Sequence, residues 1–345
     1  MKLSVAMCTY NGARYVREQL ESIATQTRPP DELVVCDDHS TDETPDIVAG
    51  FARTSSFPVR LHINEKNLGS TSNFAHALSI CNADFIAFSD QDDVWLSDKL
   101  ARLEKSLHDG AGLAFTNGAL VDRSLIPLGP TVWQTLRFGE REQRLFHEGH
   151  AFDVLLDHNV ATGAAMAFRT EYRDLIVPIP VGLTHDGVPV LHDWWAALLI
   201  AAVGKIVFIP EPLFKYRQHE HQQLGSSSTI EDDERKARRP SLRAAATRPN
   251  VFQPEIEYLR AVLDRLVTRS EFGARTSILE QLRDRIAHLN ARARLPKARP
   301  FRIAPVVREL VKRRYHRYSN GFYSASKDLW LRHDAVTAPS ETQAT

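Results

Sequence analysis

The chain has 345 residues, enough for one sizeable core and an appendage. Its 43% hydrophobic and 25% charged residues are those of an ordinary globular protein, and 43 Lys and Arg balance 43 Asp and Glu, so no net positive field favours nucleic acid. Three cysteines, Cys8, Cys36 and Cys81, form no C-x-x-C and cannot all pair, which fits buried thiols in a reducing, cytoplasmic compartment.

The opening M-K-L-S-V-A-M-C-T-Y meets polar Asn11-Gly12 too early for the apolar core of a signal peptide. Strand and helix patterns then alternate: Leu3 to Cys8, Ala13 to Ala24, Leu33 to Cys36, Glu43 to Ala52, Val59 to Ile63, Ser72 to Cys81, Phe85 to Phe88 and Asp98 to Leu107. That alternation predicts right-handed β-α-β units. The last helix is expected to start at a Ser97 N-cap and to bury Leu96, Leu100, Leu103 and Leu107.

Beyond it, strands are predicted at Leu113 to Thr116, Ala164 to Phe168, Ile206 to Ile209 and Leu213 to Tyr216, with a helix around Asp193 to Ala202. The apolar stretch Trp194 to Ile209 is interrupted by Gly204-Lys205, leaving each half short of a membrane span. Residues 226–250 are polar and charged and read as a linker or flap, which sets the end of a catalytic domain at 1–225. Residues 251–333 form a basic helical extension, with two amphipathic helices either side of Phe272-Gly273, and 334–345 read as a disordered tail. Between Ala291 and Tyr318 ten Lys and Arg face Glu309 alone. A helix there, starting at Pro305 and ending at Asn320-Gly321, would gather Val306, Val307, Leu310, Val311, Tyr315 and Tyr318 on one side. Such a face either docks on the protein or meets an anionic membrane peripherally.

The most informative stretch is D-F-I-A-F-S-D-Q-D-D-V-W, Asp84 to Trp95, an apolar strand running into Asp90, Asp92 and Asp93. Open parallel sheets bind ligands outside the carboxyl ends of their strands, where these aspartates fall. Crowded carboxylates suit a hard cation, Mg²⁺ or Mn²⁺, bridging to a diphosphate; helix capping and turn formation are the alternative, which Asp93 fits best. Thr9-Tyr10-Asn11-Gly12 and Asp37-Asp38-His39-Ser40-Thr41-Asp42 end neighbouring strands and share that rim. Asp38 can accept the imide N–H of a pyrimidine or cap a helix, Tyr10 offers a flat face to a base, and Ser40 and Asp42 suit caps.

The ordered series V-A-M-C-T-Y-N-G, V-V-C-D-D-H-S-T-D-E-T, N-L-G-S-T-S-N-F, F-S-D-Q-D-D-V-W-L-S-D-K-L and L-H-D-W-W, spread from Met1 to about Gly225, resembles glycosyltransferase family 2, in particular its bacterial rhamnosyltransferase-like members. The resemblance implies an α/β GT-A fold with a mostly parallel sheet, a nucleoside-diphosphate sugar donor, a divalent metal and transfer with inversion. It implies a base-binding role for Asp38, a D-x-D pair in Asp90 and Asp92, and a catalytic base in Asp193. Thr9, Tyr10, Asn11 and Arg217 are expected at the donor. His219 is expected at the metal, or in a surface pair with His221. Trp194, Thr162 and Gly163 are expected at the acceptor, a glycan or lipid-linked hydroxyl, with Trp195 in the core. Asp193 also suits an N-cap, and His192 a supporting role. The sugar suggested by the resemblance is rhamnose.

Nucleotidyl transfer to a sugar phosphate would want a Gly- and Lys-rich loop after the first strand, whereas Thr9 to Arg14 holds one Gly and no Lys. Neither G-x-G-x-x-G nor G-x-x-x-x-G-K-[ST] occurs, which disfavours dinucleotide and P-loop enzymes. A non-catalytic sugar binder would be expected to lack Asp92 or Asp193.

Overall fold

The computed structural model describes residues 1–220 and 251–330; the expected flap, the tail and His221 lie outside them. Strands β1 (Leu3–Thr9), β2 (Glu32–Asp37), β3 (Val59–Ile63) and β4 (Phe85–Ser89) run parallel in the order β3-β2-β1-β4, linked by α1 (Val16–Ala24), α2 (Thr44–Ala52) and α3 (Ser70–Ile80). Every residue of β1 and β4 is buried, as expected for strands covered on both faces.

The chain continues through β5 (Val94–Trp95), α4 (Lys99–His108), β6 (Leu113–Val121), β7 (Pro127–Thr131), α5 (Val132–Thr135), α6 (Glu140–His147), α7 (Ala151–Asp157), β8 (Met166–Arg169), α8 (Arg173–Ile176), α9 (His192–Val203) and β11 (Ile206–Arg217). The sheet extends as β4-β8-β6-β11-β5, with β8 antiparallel to both its neighbours and β6 parallel to β11. Two expected strands, Ile206 to Ile209 and Leu213 to Tyr216, are the halves of β11, whose register with β6 shifts at Pro212, a residue without a ladder donor. Leu100, Leu103 and Leu107 are buried as expected. Leu96 is exposed and Ser97 is not the cap; Asp98 is, because the Ser97 carbonyl accepts the Thr27 N–H and holds that residue outside the helix. Among the described residues no helix is long and apolar enough to cross a membrane. Cys8, Cys36 and Cys81 are free and buried.

These elements belong to one compact unit, Met1–Gly182 with the described part of Val190–Thr229. A second unit holds a short hairpin, β9 (Thr184–His185) and β10 (Val188–Pro189), and the C-terminal helices. Its two longest helices, Gln253–Thr268 and Thr276–Ala293, flank Gly273, whose φ of 69° is the left-handed turn that glycine allows. The expected single helix after Pro305 is instead two, Ile303–Val311 and Arg314–Tyr318, broken at Arg313 with φ 57°. A polar knot accounts for the break. Arg314 pairs with Asp284 and Glu309, Glu309 takes His288 Nδ1 at 2.8 Å, and Tyr315 donates to Asp328 at 2.7 Å. A straight helix would leave these buried groups without partners.

Candidate active site

The carboxyl ends of β1, β2 and β4 lie side by side, with Thr9 opposite Asp37 in register. Asp37 is fully buried and organises this rim: its carboxylate accepts the Thr9 hydroxyl at 2.7 Å, the Ser40 N–H at 2.8 Å and the Ser40 hydroxyl at 2.6 Å. Asn11, at φ 46°, donates its N–H to Ser40 Oγ and accepts the Thr41 N–H, each at 2.8 Å. Thr9 and Asn11, expected to contact donor, therefore spend their side chains tying two loops together. Asp42 accepts the Ala13 and Thr44 N–H groups, so it ties loops in the same way and caps only in part.

Tyr10 is different. Its side chain is 48% exposed, while its backbone exchanges two hydrogen bonds with Gln91, at 2.9 and 3.0 Å. A Cβ on Gly12 would lie 2.1 Å from Gln91 Oε1, so only glycine permits this bridge between the β1 and β4 loops.

Asp38 is 3% exposed and accepts the Leu68 and Gly69 N–H groups at 2.7 and 2.8 Å and Asn64 Nδ2 at 2.9 Å. Its carboxylate thus sits at the N-terminus of α3, where the helix end favours negative charge. It caps neither α2 nor α3, neither of which has a side-chain cap, and instead ties down the Leu68-Gly69 loop that leads into α3. A hollow of 330 Å³ lined by Ile63, Asn64, Lys66, Leu68 and His76 opens beside this loop.

Asp90, Asp92 and Asp93 follow β4. Burial first, then Asp92 and Asp193, push the Asp90 carboxyl up to about 7. Asp93 is fully buried and is pushed well up by the same causes in its own setting, burial and then Asp92 and Asp90. Its Oδ1 accepts the Arg217 N–H at 3.2 Å and its Oδ2 has no hydrogen-bond partner, so it is no surface turn residue. Asp92 Oδ2 lies 2.8 Å from His219 Nε2, and the His219 ring lies 4.9 Å from the Tyr15 ring.

Arg217, expected at the donor, is held within the fold. It is 2% exposed, and its guanidinium donates to the carbonyls of Asp92 and Arg123 at 2.7 Å each and pairs with Glu18. Those bonds brace the acidic loop and commit the guanidinium to partners within the fold.

Lys99 was not singled out by sequence. This residue is fully buried, its ammonium sits 3.8 Å from the centre of the Trp95 ring and donates to the Ala164 carbonyl, and its charge acts on Asp93 and Asp90. Burial pushes its own pKa well down, against the pull of those two acids. The signal available was a lysine six residues beyond an acidic cluster, at the start of a helix that buries its leucines.

Asp193 stands in the first turn of α9, partly exposed. Its Oδ1 accepts the Trp194 N–H at 2.7 Å, and its Oδ2 accepts the Gly163 N–H at 3.0 Å and Asn159 Nδ2 at 3.2 Å. Those donors fix the carboxylate in place, as a positioned base requires, and its charge acts on Asp90. Gly163 is buried, and a Cβ there would lie 2.8 Å from His192 Nε2, so its service is to Asp193 and not to an open acceptor surface. Thr162, at its side, is partly exposed and its hydroxyl has no hydrogen-bond partner. His192 is buried and stacks on Phe74 at 3.7 Å; burial pushes its pKa down to about 4, so it supports the site as a neutral ring.

Trp194, expected at the acceptor, is 3% exposed and donates Nε1–H to the Leu155 carbonyl at 2.6 Å. Trp195 does the same to Ile176, so both indoles belong to the core, because all of α9 from Trp194 to Ala202 is buried.

No trio of His, Cys, Asp and Glu among the described residues is gathered tightly enough to hold a metal ion. The donor chemistry nevertheless fits a hard cation. Asp92 and His219 already meet, and Asp90 carries a carboxyl whose ionisation the neighbouring acids oppose.

Residues 4–174 match the family described as glycosyl transferase family 2. An uncharacterized protein of Mycobacterium tuberculosis is 28% identical over 225 residues, 64% of this chain, and the match spans 59% of that relative's length. A protein of Shigella flexneri named dTDP-rhamnosyl transferase is 29% identical over 231 residues, covering 64% of this chain and 74% of that one. The crystal structure of Staphylococcus aureus TarS 1-349 in complex with UDP-GlcNAc superposes with a TM-score of 0.58 at 18% identity, covering 95% of this chain and 88% of that one.

Proposed function

Because the chain belongs, through residues 4–174, to glycosyltransferase family 2 and carries the GT-A fold, we propose that it transfers a sugar with inversion from a nucleoside diphosphate to a hydroxyl of a glycan or lipid-linked acceptor. The observation that carries the reading is Asp193, fixed by two backbone N–H groups and an amide, with its field reaching Asp90. An inverting transfer needs one carboxylate to take the acceptor proton while the diphosphate departs from the opposite face.

In this reading the nucleotide lies along the β1, β2 and β4 rim. The exposed Tyr10 ring covers the base, and Asp38 offers an imide acceptor once the Leu68-Gly69 loop admits it. Thr9 and Asn11 shape the rim through Asp37, Ser40 and Thr41. Asp90, Asp92 and His219 would hold Mg²⁺ or Mn²⁺, which when bound supplies positive charge to the leaving diphosphate. Arg217 and Lys99 hold the acidic loop in place from the protein side. Thr162 stands on the acceptor side next to Gly163, its hydroxyl oxygen buried and without a hydrogen-bond partner.

Rhamnose as the sugar is supported by the Shigella relative's name alone. A lipid-linked acceptor would place the enzyme at the cytoplasmic face of a membrane. A panel of nucleoside-diphosphate sugars, incubated with and without Mn²⁺ and scored for nucleoside diphosphate release, tests the reaction class. Release from at least one donor is expected, and inertness toward every donor in both conditions contradicts it.

A further inference from the structure

The helix Ile303–Val311 divides its apolar residues between two faces. Val306 is 1% exposed and packs with Tyr315 and Ala325, and Leu310 packs against that cluster. Glu309, the segment's one acid, is 4% exposed and committed to His288 and Arg314. Ile303, Val307 and Val311, one helical turn apart in succession, are 57%, 48% and 78% exposed. The inward stripe thus accounts for the helix's docking, and the outward one remains unpartnered among the described residues.

An outward stripe of branched aliphatics has no structural use on a helix already anchored by its other face. Phe301, just before it, is 71% exposed. The following helix Gly321–Trp330 repeats the division. Ala325 and Asp328 are buried, whereas Phe322, Tyr323 and Trp330 are 70%, 55% and 65% exposed, with the Arg299 guanidinium 5.7 Å from the Trp330 ring. Aromatic residues of this kind settle at the level of lipid headgroups.

The charges decide what covers the stripe. Arg292, Arg302 and Arg314 bind partners inside the unit, and the segment's exposed cations are Arg294, Lys297, Arg299, Arg308, Lys312, Arg313 and Arg317. With Glu309 turned inward, the outer surface of this segment is basic and apolar together. A second copy of the chain would bring two such basic rims face to face, which like charges oppose. We propose that the outward face of Ile303–Val311, edged by Arg308 and Lys312, docks on an anionic lipid bilayer surface, its aliphatic side chains entering the headgroup boundary and its cations pairing with lipid phosphates.

The proposal stands on this helix alone. Its use in reaching a lipid-linked acceptor rests on the function proposed above, and vesicle binding is measured without donor or acceptor, so either can fail without the other.

The test is co-sedimentation of the full chain with vesicles of phosphatidylglycerol and phosphatidylcholine, or of phosphatidylcholine only, at low and high salt. Two double variants are compared, Val307→Asp with Val311→Asp, and Arg308→Glu with Lys312→Glu; all four positions are exposed, so thermal unfolding should stay near wild type. Wild type should bind the anionic vesicles in a salt-sensitive way, and each double variant should bind about tenfold more weakly or worse. Equal sedimentation of wild type and both variants overturns the proposal. So does a concentration-dependent dimer in analytical ultracentrifugation that the aspartate variant abolishes while wild type ignores vesicles, since the face would then cover a second copy.

Discussion

His219 Nε2 lies 2.8 Å from Asp92 Oδ2, joining the loop after β4 to the end of β11 across 127 residues of sequence. Two groups that compete for one cation, or share it, act as a unit. Asp92→Asn and His219→Ala should each weaken Mn²⁺-supported nucleoside diphosphate binding about ten- to a hundredfold, and the double variant should be little worse than the weaker single. Calorimetry with Mn²⁺ and with EDTA measures this. Strictly additive losses, or wild-type affinity in either single variant, contradict it.

Asp90 gives a pH signature. Its carboxyl is pushed from 3.8 up to about 7, so the stability it contributes is fully present below 3.8 and is lost as pH rises through about 7. His192 acts oppositely. Its ring is pushed down from 6.5 to about 4, so its contribution is present above 6.5 and is lost as pH falls through about 4. The difference in Tm between wild type and Asp90→Asn, measured in EDTA, isolates the first. Wild type should lose ground to the variant as pH rises from about 4 to about 7. A difference independent of pH contradicts the burial and charge assigned to Asp90.

Lys99 is the buried cation under that cluster, with its charge acting on Asp93 and Asp90. Lys99→Met removes one partner of a buried charge set and should cost about 3–5 kcal/mol in urea unfolding. Mn²⁺ should then raise the variant's Tm more than the wild type's, because the acids have lost their internal countercharge. Unchanged unfolding would remove Lys99 from the cluster.

The two aromatic expectations separate cleanly. Trp194→Phe keeps a ring in the core and loses the bond to the Leu155 carbonyl, so it should cost about 1 kcal/mol of stability with turnover near normal. Tyr10→Ala should leave stability near wild type and lose about 1–3 kcal/mol of nucleotide binding, the worth of one aromatic stacked on a base. The reverse pattern would restore Trp194 to the acceptor site.

Much of this was legible in the chain because the hydrophobic period decides it. The strands Val59–Ile63 and Phe85–Ser89 and the helix Lys99–His108 follow directly from apolar runs and spacing. The rim also follows, since strand ends place Tyr10, Asp38 and Asp90 together. What sequence does not carry is where a polar side chain points. Arg217 and Trp194 look like ligands because of their chemistry, yet both are turned inward by partners distant in sequence, Glu18 and Leu155. The stripe Val306 to Tyr318 divides for a related reason, because the His288–Glu309–Arg314 knot fixes which side of the helix is interior. Lys99 escaped notice because a buried lysine is legible only once its acids surround it.

The most direct test of the central reading is the fate of the nucleotide in wild type and Asp193→Asn with a transferable donor and its acceptor. Wild type should release nucleoside diphosphate and invert the anomeric carbon. Asp193→Asn should bind donor with unchanged affinity while transfer falls about a hundred- to ten-thousandfold. Near-normal transfer by Asp193→Asn, a retained anomeric configuration, or release of pyrophosphate from a nucleoside triphosphate in place of this reaction would contradict it.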